Sequence, residues 1–381
     1  MRFSTRLDQF SNYVFADLNQ TAKQIANQTG RPVLNLAIGN PNFAPSSKYI
    51  NELRRLVKTD DAHHYPGYKA ISIFAQSLIA WYQQRFGVQL KDHELLPLIG
   101  SKDGLTHLAL ALLDKEDEVL IPDPGYPAYV GSSLVVGAKP VFYNLTSKNN
   151  FQIDLDDIKR KISSKTKLIW LNFPSNPTGQ VISKDKLEQL VAIAIKHQVW
   201  LAYDNAYSEI VFDNYKPPSI LEIPQAKKVS IEFGSLSKTF SLAGYRLGWA
   251  VGNEELISAL AKIKSQFDSG MSLPFQKLMA FCLNNPDRYW QQQMLENYRQ
   301  RAQILVKCLT KLELSASVPK ASLYIWAKIP KQAKNSEEFS RKLLEEKQIL
   351  VTPGTAFGEN GKRYIRLSIS SNLERINEYI K

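Results

Sequence analysis

Residues 229–248 read VSIEFGSLSKTFSLAGYRLG. The strand-like run VSIEF gives way to a turn of small residues, and that turn delivers Lys238. Most lysines at strand ends are merely solvated. This one is flanked by Ser235, Ser237 and Thr239, whose hydroxyls suit phosphate oxygens, and Arg246 follows in Gly244-Tyr245-Arg246-Leu247-Gly248. A nucleophilic lysine needs access and a lowered pKa. A doubly charged phosphate needs a fixed guanidinium with hydroxyls around it. The stretch reads as strand, anion-binding turn and strand, with a reactive amine in the turn.

The residues on either side repeat the pattern. Strands are expected at 118–122, 139–145, 167–172, 199–204, 228–233 and 246–251, with helical patterns at 104–113 and 187–196 between them. Several of these strands are apolar on both faces, as in a buried, mostly parallel sheet. The alternation predicts an α/β fold with helices covering both sides of the sheet. The last third differs: a polar helix over about 287–312, strand-like LYIWAKI, a helix near 336–347, then ILVTP and YIRLSIS. That mixture predicts a smaller α+β domain, with the early segment VLNLAIGNP beside it. The expected division is a large domain over 46–286 and a small domain made of 1–45 and 287–381.

Further polar motifs fall where strands end. Tyr203-Asp204-Asn205-Ala206-Tyr207 places an acid at the carboxyl end of a buried strand, where ligands of open α/β sheets bind; a helix N-cap is the plainer reading of Asp204. Asn172-Phe173-Pro174-Ser175-Asn176-Pro177-Thr178-Gly179 is a turn sequence that opens at the same edge. Gly100-Ser101-Lys102-Asp103-Gly104 leads into a helix whose first N–H groups suit phosphate. Tyr126, in Pro122-Asp123-Pro124-Gly125-Tyr126-Pro127, is either a packed aromatic or a ring that stacks on a flat ligand. Arg366, in Tyr364-Ile365-Arg366-Leu367-Ser368, is a strand arginine among apolar neighbours and suits a carboxylate held bidentately.

Composition narrows the function classes. The 381 residues are 44% hydrophobic and 22% charged, an ordinary globular balance. The two cysteines, Cys282 and Cys308, are far apart and read as reduced, packed thiols, which fits a cytoplasmic setting. The N-terminal residues 1–19 contain Asp8 and Asp17 and no apolar core, so no signal peptide is expected. No apolar run approaches membrane-span length. His63 and His64 are adjacent without further ligands, so no metal site is expected. The net charge of +12 is spread among acidic residues, which favours a solvated basic surface over a nucleic-acid interface.

Taken together, SLSKT…GYRLG, YDNAY, NPTG and YIRLS resemble the fold-type I pyridoxal phosphate enzymes, the class I/II aminotransferases, from LNLAIGNPNF to YIRLSIS. HHYPGY, LIGSKDGLTHLALALL, IPDPGYPAY and DNAYSEIVFDNYKPPS are similar to the LL-diaminopimelate aminotransferase group. The stretch TFSLAGYR after the lysine departs from that group's usual Tyr-Asn-Met-Thr-Gly-Trp-Arg. The resemblance implies a mostly parallel seven-stranded sheet between helices, and a pyridoxal phosphate cofactor carried by Lys238, which also moves protons. It implies that Asp204 pairs with the ring nitrogen and that Tyr207 and Asn176 bond the ring oxygen. Ser101, Lys102, Ser235 and Arg246 would hold the phosphate, and Tyr126 would stack on the ring. Arg366 would take the substrate carboxylate, and Gly39 would let backbone approach the substrate, beside Asn176. Tyr65, in HHYPGY, would reach the neighbouring subunit's phosphate, which implies a homodimer with shared sites.

The implied reaction moves an amino group between an amino acid and a 2-oxo acid, with LL-diaminopimelate or aspartate and glutamate as donors. The same cofactor also supports β-elimination from a sulfur amino acid, so a C–S β-lyase is the alternative. A non-enzymatic, cofactor-sensing nucleic-acid regulator is a more distant one, raised by the positive charge.

Overall fold

A computed structural model describes residues 3–10, 14–374 and 376–380. The reading of residues 1–19 therefore falls partly outside the described residues, as do the two ends of the 1–45 and 287–381 segments.

Twelve strands occur in chain order among the described residues: β1 (Leu34–Asn35), β2 (Leu95–Ile99), β3 (Glu118–Asp123), β4 (Lys139–Asn144), β5 (Thr166–Asn172), β6 (Trp200–Asp204), β7 (Ser230–Ser235), β8 (Leu247–Gly252), β9 (Tyr324–Lys328), β10 (Ile349–Leu350), β11 (Thr352–Pro353) and β12 (Tyr364–Ser368). Seven of them build one sheet in the order β2-β8-β7-β6-β5-β3-β4. Strands β3 to β7 pair in parallel, while β8 runs antiparallel to both its neighbours, β7 and β2. The fold is α/β with a mostly parallel seven-stranded sheet, as the resemblance implied. The six strands expected from the sequence are all present, with ends shifted by a residue or two. The seventh, β2, was not expected. It carries Pro97, which cannot donate to a ladder and is tolerated because β2 is an edge strand.

Period-two alternation splits the sheet's side chains between two apolar layers. Leu168 and Trp170 pack on one side with Leu105, Leu108 and Leu260. Ile169 and Leu171 pack on the other with Leu78, Tyr82 and Leu278. A third apolar cluster gathers the long helix Arg288–Leu309 against β9 and β12 through Met294, Tyr298, Leu305, Ile325 and Leu367. There β11, β12 and β9 form an antiparallel sheet, and β1 pairs with β10 in parallel. Tyr207 and Leu36 belong to this third cluster, so it abuts the carboxyl edge of the large sheet. Cys282 and Cys308 are buried thiols, neither of them in a disulfide.

The reversed direction of β8 positions the site. Strands β2, β5, β6 and β7 all end at one edge, delivering Asp204 as the last residue of β6 and Ser101, Asn176 and Lys238 just beyond the ends of the other three. Because β8 runs the other way, it starts at that edge, and Arg246 immediately precedes it.

Candidate active site

A cavity of about 510 Å³ opens at this edge. It is lined by Gly39, Ser101, Lys102, Tyr126, Asn176, Asp204, Tyr207, Ser235, Lys238, Arg246 and Arg366, joined by Asn172 and Tyr324. Every site residue expected from the sequence is thus gathered in one place except Tyr65. That residue is 87% exposed, on the segment whose Gly67 carbonyl crowds Gly270.

Lys238 follows β7 in a short helical turn, Leu236–Thr239, capped by Ser235, whose Oγ accepts from the Ser237 N–H at 3.1 Å. Its ammonium donates to the Gly39 carbonyl at 2.9 Å. Burial holds the amine below its usual pKa, and the nearby guanidiniums of Arg246 and Arg366 push the same way. Arg246 adopts a left-handed backbone, φ 55°, and its Nη1 donates to the Ala243 carbonyl at 2.9 Å. Its guanidinium lies over the start of the helix Ser101–Leu112, where a Cβ on Gly100 would meet Nη2 at 2.4 Å. No side chain caps that helix, so its first N–H groups remain available to an anion.

Asp204 is the last residue of β6 and 6% exposed. The Tyr129 hydroxyl donates to its Oδ2 at 2.8 Å, while Oδ1 is buried without a hydrogen-bond partner. Burial raises its carboxyl to about 6 against the Tyr129 hydrogen bond and the nearby Ala206 N–H. No helix begins after it, so the helix-cap reading of Asp204 is corrected. The strand simply ends there and turns.

Arg366, 2% exposed in the middle strand β12, donates through Nη1 to Asn176 Oδ1 at 2.8 Å and through Nη2 to the Ala37 carbonyl at 2.5 Å. Asn176 is placed in turn by its N–H, which donates to Asn172 Oδ1 at 2.8 Å, and Asn172 Nδ2 reaches the Asp204 carbonyl at 2.8 Å. The Tyr207 and Tyr324 hydroxyls lie 3.0 Å apart. Tyr126 packs edge-on to Tyr129. Asn172, Tyr129 and Tyr324 were not anticipated as site residues: Asn172 and Tyr129 stand at the ends of quoted motifs whose other residues drew the reading, and Tyr324 stands in a strand with no motif of its own.

A model of the aminotransferase class I and II family matches residues 31–381. The chain belongs to that family. It is 39% identical to the LL-diaminopimelate aminotransferase of Dehalococcoides mccartyi, over all of this chain and 97% of that one. It is 37% identical to the glutamate-pyruvate aminotransferase of Escherichia coli, over 99% of this chain and 92% of that one. A double mutant of Thermus thermophilus aspartate aminotransferase superposes with a TM-score of 0.93 at 25% identity, covering 100% of this chain and 98% of that one.

The chain is thus a pyridoxal phosphate-dependent aminotransferase, acting on amino acids and 2-oxo acids. The residues present fit that cofactor. Asp204 Oδ1 is a buried acceptor awaiting a donor, in the same cavity as an amine of depressed pKa. An uncapped helix start faces a guanidinium across a glycine that leaves the space open. The β-lyase and regulator alternatives find no support among the relatives named here. Among the described residues no helix is long and apolar enough to cross a membrane, and no cluster of His, Cys, Asp or Glu could hold a metal ion.

Proposed function

We propose that this aminotransferase takes a dicarboxylic amino acid as its donor, of the LL-diaminopimelate, glutamate or aspartate type. The observation that carries this reading is the chain's likeness to an LL-diaminopimelate and a glutamate-pyruvate aminotransferase; the cavity's Lys102, Lys238, Arg246 and Arg366, set against a single carboxylate, Asp204, suit the anionic cofactor and the substrate's α-carboxylate. Such a lining favours anionic ligands.

In this reading Lys238 would carry the cofactor, and its Nζ, once displaced by the substrate's amine, would take up the proton lost from the substrate's Cα, a role suited to an amine with a depressed pKa. When bound, the cofactor supplies an electron-withdrawing ring that stabilises negative charge at Cα. Asp204 would hold the proton on the ring nitrogen through its unpaired Oδ1. Tyr207 and Asn176 would hydrogen-bond the ring oxygen, and Tyr126 would stack on the ring. Ser101, Lys102, Ser235 and Arg246 would hold the phosphate. Arg366 grips the substrate's α-carboxylate beside Asn176, and Gly39 leaves room for the substrate against the backbone. Tyr65 serves the phosphate of a neighbouring subunit, in a homodimer of cytoplasmic enzyme; its 87% exposure in the single chain leaves it available for that contact. Residues 46–286 act as the large domain, and 1–45 with 287–381 as the small one.

A panel of single donors without a 2-oxo acid tests the substrate. Diaminopimelate, glutamate or aspartate is expected to discharge the enzyme's visible absorbance stoichiometrically. Discharge only by aromatic amino acids or methionine, or continuous release of pyruvate or sulfide, would overturn the reading. Lys238→Ala is expected to lose the visible band after dialysis; a band retained at the same wavelength would place the cofactor on another lysine.

A further inference from the structure

We infer that Tyr324 is a positioning residue that sets both the proton of Tyr207 and the plane of Arg366. The inference rests on the roles proposed above for those two residues. Tyr324 is the first residue of β9 and 3% exposed. Its hydroxyl lies 3.0 Å from the Tyr207 hydroxyl, with the two rings set edge to face at 5.7 Å. The Arg366 guanidinium carbon sits 4.3 Å from the centre of its ring. On its third side the hydroxyl crowds Gly39: a Cβ there would meet Tyr324 Oη at 2.1 Å. Gly39 is the residue whose carbonyl receives the Lys238 ammonium. One side chain therefore touches three groups that have to keep register with one another, and glycine at 39 is what lets it approach.

The two contacts act differently. The hydroxyl contact is one of proton placement. When Tyr324 donates to Tyr207 Oη, the Tyr207 proton is free to point into the cavity, and hydrogen-bond chains strengthen each donor in turn. The ring contact is one of orientation. Arg366 is held at its edges by Asn176 Oδ1 and the Ala37 carbonyl, while the Tyr324 ring and the Phe357 ring, 4.7 Å away, bound its faces. The charged groups acting on the hydroxyl pair and on Lys238 are Arg366, Asp204 and Arg246, and Tyr324 itself acts to raise the Lys238 amine; Tyr324→Phe keeps the three charged groups and the ring against Arg366 in place.

Two variants separate the contacts. Tyr324→Phe removes only the hydroxyl. Tyr207 then becomes a weaker donor to the ring oxygen, and the pH midpoint of the bound cofactor's visible absorbance is expected to rise by about 0.3 unit, with KM for the amino donor within about twofold of the parent. Tyr324→Leu also removes the ring from Arg366. KM for the donor is expected to rise about tenfold, with kcat changed less than about threefold. An unchanged midpoint in Tyr324→Phe, or an unchanged KM in a folded Tyr324→Leu, overturns the inference. If Tyr324→Leu fails to fold, the titration of Tyr324→Phe still decides. Arg366→Lys is the control. If it too leaves KM unmoved, the proposed role of Arg366 is what fails; if it raises KM while Tyr324→Leu does not, only the assignment of Tyr324 falls.

Discussion

Asp204 and Glu232 stand on adjacent strands of the same sheet, both acids and both buried, at 6% and 1% exposure. The register pairs Tyr203 with Glu232 and Asp204 with Phe233. The two acids are therefore one step out of phase, and their side chains leave opposite faces of the sheet. On its face Glu232 meets four donors. Tyr82 Oη and Asn205 Nδ2 donate to Oε1 at 2.9 and 3.3 Å, and Ser219 Oγ and the Ile220 N–H donate to Oε2 at 2.6 and 2.9 Å. Asp204 has Tyr129 on one oxygen and no hydrogen bond on the other. Burial raises both carboxyls, to about 6 for Asp204 and about 7 for Glu232. A raised pKa therefore does not tell chemistry from architecture. The unpaired oxygen and the cavity do: Asp204 lines the cavity and still has an acceptor to offer, while Glu232 is saturated by its own protein.

The comparison is most exposed to Asp204→Asn. That variant should lose about 10³-fold in kcat while its urea midpoint stays near the parent's. A normal rate with early unfolding would make Asp204 the structural acid. Next comes Glu232→Ala, which leaves the Tyr82, Ser219, Asn205 and Ile220 donors without an acceptor and should cost about 3 kcal/mol in urea unfolding, with kcat within about threefold. A rate collapse in a stable protein would give Glu232 a part in the chemistry.

The smallest effect is one of pH. A folded pKa of about 7 against an ordinary 4.5 means the folded chain keeps a proton that the unfolded chain has released. The stabilisation is complete below about pH 4.5 and fades as pH rises through about 7. Glu232→Gln removes this dependence, so its stability relative to the parent should improve by about 2 kcal/mol between pH 5 and 8. A flat difference over that range would show the four donors keeping the carboxylate ionised throughout.

The sequence disclosed the large sheet through strands that are apolar on both faces, and it disclosed the site through motifs that begin where those strands stop. It did not disclose β2, because Pro97 interrupts a short apolar run that periodicity cannot tell from a buried helix segment. Residues that work through a neighbour were also hidden. Tyr324 was visible only as part of the strand LYIWAKI, one of 17 tyrosines. Tyr129 follows Tyr126 by one helical turn, and nothing local marks it as the partner of an acid on β6. Glu232 did leave a trace, an acid inside an otherwise apolar strand, but its four donors come from separate segments that only the folded chain assembles. Local patterning reports which strand ends face the cavity. It does not report which side chains from distant segments steady them.

The Gly39 carbonyl above Lys238 carries a consequence for the order in which a ribosome makes this protein. All seven strands of the large sheet have been synthesised once Gly252 emerges, and Lys238 and Arg246 are then already at their edge. The segment that closes over the lysine is made far earlier, yet it has little to hold it. Leu34 and Leu36 need the backbone of Gln348 and Leu350, and Ala37 needs the Arg366 side chain. From Gly252 to Arg366, therefore, the nascent chain carries every strand of the large sheet and an amine without its cover, and the earliest part of the pocket has to wait for nearly the last.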